Sequence, residues 1–119
     1  MPLLDASVLE QGLDQLSSLF RLISDKTRLN ILFSLADGER NVSSLCEELR
    51  LPQPTVSHHL GLLRVNNLIA NRRKGKQVFY ALNDSVALLE GMALEVTTES
   101  FALRIVRRQL PLHHERTGP

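Results

Sequence analysis

Between Gln53 and His59 the chain runs QPTVSHH, a stretch of short polar and imidazole side chains without an acid. These residue types make directional hydrogen bonds without a fixed charge, and Gln is a bidentate partner for the N6/N7 edge of adenine. On a helix at ~100° per residue, Val56, Leu60 and Leu63 share one side and His58 points almost directly away from it. Pro54, Thr55, Gly61 and Leu62 flank His58, and Ser57 and His59 lie at the two edges. The outward face is short, polar and uncharged, and Gly61 leaves room for close approach. Such a face suits base edges in a major groove, which is about 12 Å wide and admits a helix. An ordinary solvated helix more often pairs Glu with Lys at i, i+4. Gln53, Thr55, Ser57 and His58 are the candidate base contacts, while His59, nearer the core edge, packs or donates to a phosphate.

A second set of chemistry-bearing residues follows. Residues 49–83 hold no acid and six basic residues: Arg50, Arg64, Arg72, Arg73, Lys74 and Lys76. Acids and bases are mixed on both sides of this segment, so the net charge of only +1 hides a purely cationic third of the chain. Arg72, Arg73, Lys74 and Lys76 crowd a hairpin tip, where they would neutralise phosphates, with Arg64 as a further contact. Arg28 reads as a structural ion-pair partner rather than a phosphate contact.

Other chemistries fit less well. Cys46 is the one cysteine. It excludes an internal disulfide and a cysteine-rich zinc module, so a reducing, cytoplasmic setting fits best. It shares a helical face with Val42, Leu45 and Leu49 and is expected to pack as a small apolar residue. Glu47 and Glu48 beside it would disfavour a thiolate. His113, His114 and Glu115 stand in a tail expected to fray, with few groups to hold imidazoles as metal ligands. No nucleophile–base–orienter set appears, so the chain is not expected to be an enzyme, nor to hold a metal or cofactor. The N-terminus lacks the basic region of a secretory signal, and no window is apolar enough for a membrane span.

The elements that would position these residues follow from periodicity and turn chemistry. Leu9, Leu13, Leu16, Phe20 and Ile23 form one stripe on a helix over 5–23, part of which could meet a second subunit. Ser24 or Asp25 can cap the next helix, which Asp37-Gly38 ends. Asn41 caps a short helix, and Arg50-Leu51-Pro52 makes the turn. Pro54 sits where a second helix can begin, and that helix runs to about Asn67. IANRR and QVFYAL are hairpin strands joined by KGK, with Gly75 supplying the turn. Val86, Leu89, Ala93 and Val96, then Phe101, Ile105 and Val106, predict a last helical region over 84–110, kinked or divided at Thr97-Thr98 and ended by Pro111.

Taken together, LFRLISDKTRLNILFSL, VSSLCEELRLPQPTVSHHLGLLRVNNLI and RRKGKQVFYAL resemble the ArsR/SmtB family of bacterial winged helix-turn-helix repressors over roughly residues 19–84. The motifs D-x-T-R-L-x-I-L, Q-P-T-V-S-x-H-L-x-x-L and a basic hairpin ending in F-Y-x-L carry the likeness. It implies a mainly α fold with a small β-hairpin wing (α+β), one domain over 1–119 with the helix-turn-helix at 41–68 and the wing at 69–82. It also implies a homodimer through the first and last helices, 5–23 and 84–110. The two recognition helices and wings would grip double-stranded operator DNA, an inverted repeat on two-fold symmetry, and an effector would usually release it. Two departures stand out. The cysteine pair of arsenic and soft-metal sensors is replaced by Asn41 and Ser43, and one thiol cannot supply a trigonal thiolate site. Asp84 matches the first ligand of the family's interhelical zinc site, but Val86 stands at the histidine position. Two alternatives remain at this stage: a repressor triggered by oxidation of Cys46, and a winged-helix adaptor that binds protein.

Overall fold

The first three helices each start on a side chain that takes up a free backbone N–H. Asp5, Asp25 and Asn41 accept from the amides of Ser7, Arg28 and Ser44, which satisfies donors that a helix start otherwise leaves open. In this computed structural model, which describes residues 5–90 and 93–108, they open α1 (Ala6–Ile23), α2 (Lys26–Ala36) and α3 (Val42–Leu49). α3 stops at Arg50, which takes the left-handed conformation (φ 57°) that ends helices at a glycine more cheaply. Pro52 and the Pro54 of the first turn then start α4 (Gln53–Val65). α4 ends two residues short of the expected Asn67, which is itself left-handed (φ 64°).

β2 (Ile69–Lys74) and β3 (Gln77–Leu82) form an antiparallel hairpin, from Ile69 opposite Leu82 to Lys74 opposite Gln77. Gly75, at φ 63°, turns the corner. The wing has a third strand that the sequence did not announce: β1 (Arg40–Asn41) pairs with Tyr80 and Phe79, giving the order β1-β3-β2.

The helix expected over 84–110 is not formed. After Asp84 the chain makes an antiparallel sheet of β4 (Val86–Leu89), β5 (Ala93–Thr97) and β6 (Ala102–Val106), with β5 central. Leu94 and Val96 point inward from β5, and Leu103 and Ile105 are the half-buried residues of β6. That is a period of two, and it places Val96 opposite Leu103 and Leu94 opposite Ile105. Val96, Thr97, Ile105 and Val106 are β-branched, which favours the pleated surface over a helix. The expected interface through a last helix falls with that helix. The tail motif at His113, His114 and Glu115, and Pro111, lie outside the described residues.

One core joins these pieces. Ile31, Leu32, Leu45, Val56, Leu60, Leu63, Ile69, Leu94 and Val96 are fully buried, so the helices, the wing and the C-terminal sheet share it. α1 divides its apolar residues. Leu19 and Ile23 are buried, whereas Val8, Leu9, Leu13 and Phe20 are exposed. At Gly12, α1 meets the turn after β5 so closely that a Cβ there would lie 2.9 Å from the Ser100 Cβ.

Candidate nucleic-acid interface

α4 presents its first turns outward because Val56, Leu60 and Leu63 anchor the other side with no exposure at all. Gln53 and His58 are exposed, and Thr55 and Ser57 are half-buried. Gln53 Nε2 donates to Ser57 Oγ at 3.2 Å, one turn on, so the two side chains offer a joint polar edge. The His58 ring meets the His59 ring edge-on, with centroids 5.4 Å apart. His58 has no hydrogen bond to the described residues, which leaves its ring free to choose a partner.

His59 is held instead. Its side chain is 14% exposed. Its Nδ1 lies 3.1 Å from Arg28 Nη1 and 4.0 Å from an Asp25 carboxylate oxygen. Arg28 Nε donates to the Leu22 carbonyl, which fixes the guanidinium between the end of α1 and α4. Asp25 caps α2, and the backbone N–H of Arg28 that it accepts holds its carboxyl below the usual range, with a lesser contribution from the Arg28 charge. Arg28 is thus a structural residue, but the ion pair expected of it is not formed among the described residues: its side-chain partners are an imidazole and a carbonyl.

The basic residues divide in the same way. Arg73, Lys74 and Lys76 are exposed around the Gly75 turn, and Arg64 is exposed in the last turn of α4. Arg72 is committed. Its Nε and Nη2 donate to the two Glu39 oxygens, each at 2.7 Å, and its guanidinium lies 5.5 Å from the Phe79 ring centre. Arg72 therefore anchors the wing to the segment before α3, and only Nη1 stays outside the pair. The hydrogen bonds and charge of Arg72 lower the Glu39 carboxyl, and Glu39 raises the Arg72 guanidinium in return. A further tie joins the α3 cap to the wing, Asn41 Nδ2 to Gln77 Oε1 at 3.3 Å. Sequence reasoning missed Glu39. No pattern marked it, because Glu47 and Glu48 stand between it and the acid-free segment.

Two other features lie apart from this surface. Cys46 is half-buried, a free thiol packed against the core. A cleft of about 580 Å3 opens between α1, the end of α4 and the C-terminal sheet, lined by Asp14, Leu19, Asn67, Thr97 and Glu99 among others. Its lining has no Lys or Arg, so it is no part of the cationic surface. Among the described residues, no cluster of His, Cys, Asp and Glu could hold a metal, and no helix is long and apolar enough to cross a membrane.

Two short helices joined by a tight turn, with a basic hairpin behind the second, define a winged helix-turn-helix regulator of the DNA-binding class. Residues 25–70 match the family model described as bacterial regulatory protein, arsR family. The HTH-type transcriptional regulator KmtR of Mycobacterium tuberculosis is 38% identical over 100 residues, covering 83% of this chain and 72% of that protein. Among solved structures, the transcriptional repressor BigR of Xylella fastidiosa superposes with a TM-score of 0.62 at 31% identity, covering 67% of this chain and 79% of that one. A homodimeric winged helix-turn-helix DNA-binding domain from Mycobacterium bovis, described as a possible ArsR-family regulator, gives 0.57 at 28% identity, covering 69% and 74%. The chain belongs to the ArsR family of transcriptional regulators.

Proposed function

We propose that two copies of this chain repress transcription from the cytoplasm by gripping an inverted-repeat operator, each with α4 in a major groove and its wing along the flanking phosphates. Gln53, Thr55, Ser57 and His58 make the base or near-base contacts. Arg73, Lys74 and Lys76 neutralise phosphates, with Arg64 beyond them and Arg72 contributing through Nη1 while it holds the wing. One observation carries the reading: the uncharged outward face of α4 is followed directly by three exposed cations at the wing turn. A protein-binding adaptor would not need a segment stripped of acids. A Cys46 trigger finds no second thiol in the same chain.

The test separates grip from reading. Replacing Arg73 and Lys74 by Ala should flatten the log–log salt dependence by about 0.9 per lost phosphate contact. It should weaken binding to all sequences alike. His58→Ala should instead relax sequence preference, since a good base contact is worth about 1–3 kcal/mol of discrimination. A double wing variant with an unchanged salt slope would show that the wing does not touch phosphate.

A further inference from the structure

Two of the three motifs that carry the family likeness meet in space where Arg28 of α2 touches His59 of α4. Arginine is a donor only and stays charged. At 3.1 Å from Arg28 Nη1, His59 Nδ1 must therefore be the acceptor. An imidazole whose Nδ1 accepts is neutral and carries its proton on Nε2. An imidazolium would set an N–H against the guanidinium, and Asp25, at 4.0 Å, is too far to take that proton in a hydrogen bond. The Leu22 carbonyl holds Arg28 from the other side, so the guanidinium cannot swing away without losing that bond.

Nε2 has no hydrogen-bond partner among the described residues. It is not sealed from solvent either, because Ser34 Oγ is the one fully buried side-chain polar atom without a partner among them. α4 therefore carries, in a side chain 14% exposed, a donor of fixed identity and without a partner among the described residues, at the edge of its outward face. A helix in the major groove turns its centre to base edges and its flanks to the phosphate walls, and half or more of protein–DNA hydrogen bonds go to sugar and phosphate. We propose that Arg28 locks His59 in the neutral Nε2–H form and so makes it a hydrogen-bond donor to a DNA phosphate. Arg28 is then a positioning residue that acts on DNA binding without touching DNA. His58, one residue earlier and unconstrained, is left for the bases. The inference rests on the DNA-binding reading given above.

The first arm needs no DNA. Long-range proton–nitrogen NMR of the full chain at a pH of about 8, where histidine is ordinarily neutral, should show His59 protonated on Nε2. A proton on Nδ1, or a charged ring, overturns the proposal. The second arm uses amide mimics. Gln places its N–H near Nε2 and Asn near Nδ1, so His59→Gln should bind DNA within about threefold of the parent, and His59→Asn should lose about tenfold. Equal losses in the two variants, or a changed sequence preference with His59→Gln, overturn the phosphate assignment. Arg28→Met should lose about as much as His59→Asn, add less than about twofold to it, and keep the parental salt slope. A slope reduced by about 0.9 would mean that Arg28 itself contacts a phosphate. If Arg28→Met does not fold, the tautomer and the Gln/Asn pair decide alone. An unsubstituted protein with the Nε2–H form but no affinity for DNA would sink the function, not the tautomer.

Discussion

Glu39 takes both Nε and Nη2 of Arg72, and that contact leaves only Nη1 of this wing cation outside the pair. Both partners face solvent, and an exposed pair adds little to stability; what it supplies is orientation. The bidentate fork aims the start of the hairpin, and Phe79 lies beneath the guanidinium. Glu39 titrates below its ordinary 4.5, chiefly through the Arg72 hydrogen bond. A depressed carboxylate contributes above its unfolded value and loses that contribution as pH falls through the folded one. The pair is therefore intact near neutrality and opens only in acid below about 4.5. Asp25, lowered from 3.8 mainly by the Arg28 amide, follows the same sign. Glu39→Gln should release Arg72 as an additional phosphate contact. Fluorescence anisotropy at graded salt should then give a slope steeper by up to about 0.9 and tighter binding at low salt. Weaker binding with an unchanged slope would instead mean that wing orientation outweighs the freed charge. None of this was legible in the sequence, because the partners are 33 residues apart and the acid lies outside the cationic segment. The outward placement of Gln53 and His58 was legible, since one helix period gives it.

At the scale of elements, the helix-turn-helix was readable because its signals agree. Asn41 caps α3, Pro52 ends its turn, Pro54 enters α4, and Val56, Leu60 and Leu63 keep one helical face. The C-terminal sheet was not readable from the same kind of pattern. Val86, Leu89, Ala93 and Val96 fit helical steps, yet Leu94 with Val96 and Leu103 with Ile105 fit strand alternation equally well. Short apolar runs cannot be assigned by period alone. The β-branched residues and the loop at Glu99-Ser100 were the better guide. What holds the sheet in place can be tested at Gly12. Glycine to alanine inside a helix ordinarily stabilises by about 0.5–1 kcal/mol. Here the new Cβ would meet the Ser100 Cβ at 2.9 Å and Phe101 Cε2 at 3.1 Å. Gly12→Ala should therefore destabilise, by about 1–3 kcal/mol as overpacking does. Adding Ser100→Gly should recover part of that loss. Urea denaturation measures both, and a more stable Gly12→Ala protein would mean that α1 and the β5–β6 turn do not touch.

At the scale of the whole molecule, the exposed half of α1 is the feature that one copy leaves unsatisfied. Val8, Leu9, Leu13 and Phe20 are each more than a third exposed, on and beside the same stripe of the helix whose Leu19 and Ile23 are buried in the core. With the last helix replaced by a sheet, this face is the part of the expected dimer interface that remains, and among the described residues Leu88 and Val106 are the large apolar side chains that the sheet leaves exposed. Two-fold pairing would set the α4 helices about one DNA turn, ~34 Å, apart. It would also make the second half-site an intramolecular target, worth about 10²–10⁴ in avidity. Leu9→Asp with Leu13→Asp removes apolar area from the exposed side and leaves Leu19 and Ile23 in the core. The variant should keep its helical circular dichroism and sediment as a monomer. Its affinity for a two-half-site operator should fall by about 10²–10⁴, and its affinity for an isolated half-site should not change. If it still sediments as a dimer, the contact runs through the C-terminal sheet, and Leu88→Asp with Val106→Asp should then dissociate it. If it is a monomer whose operator affinity is unaltered, one copy reads DNA alone and the inverted-repeat reading fails.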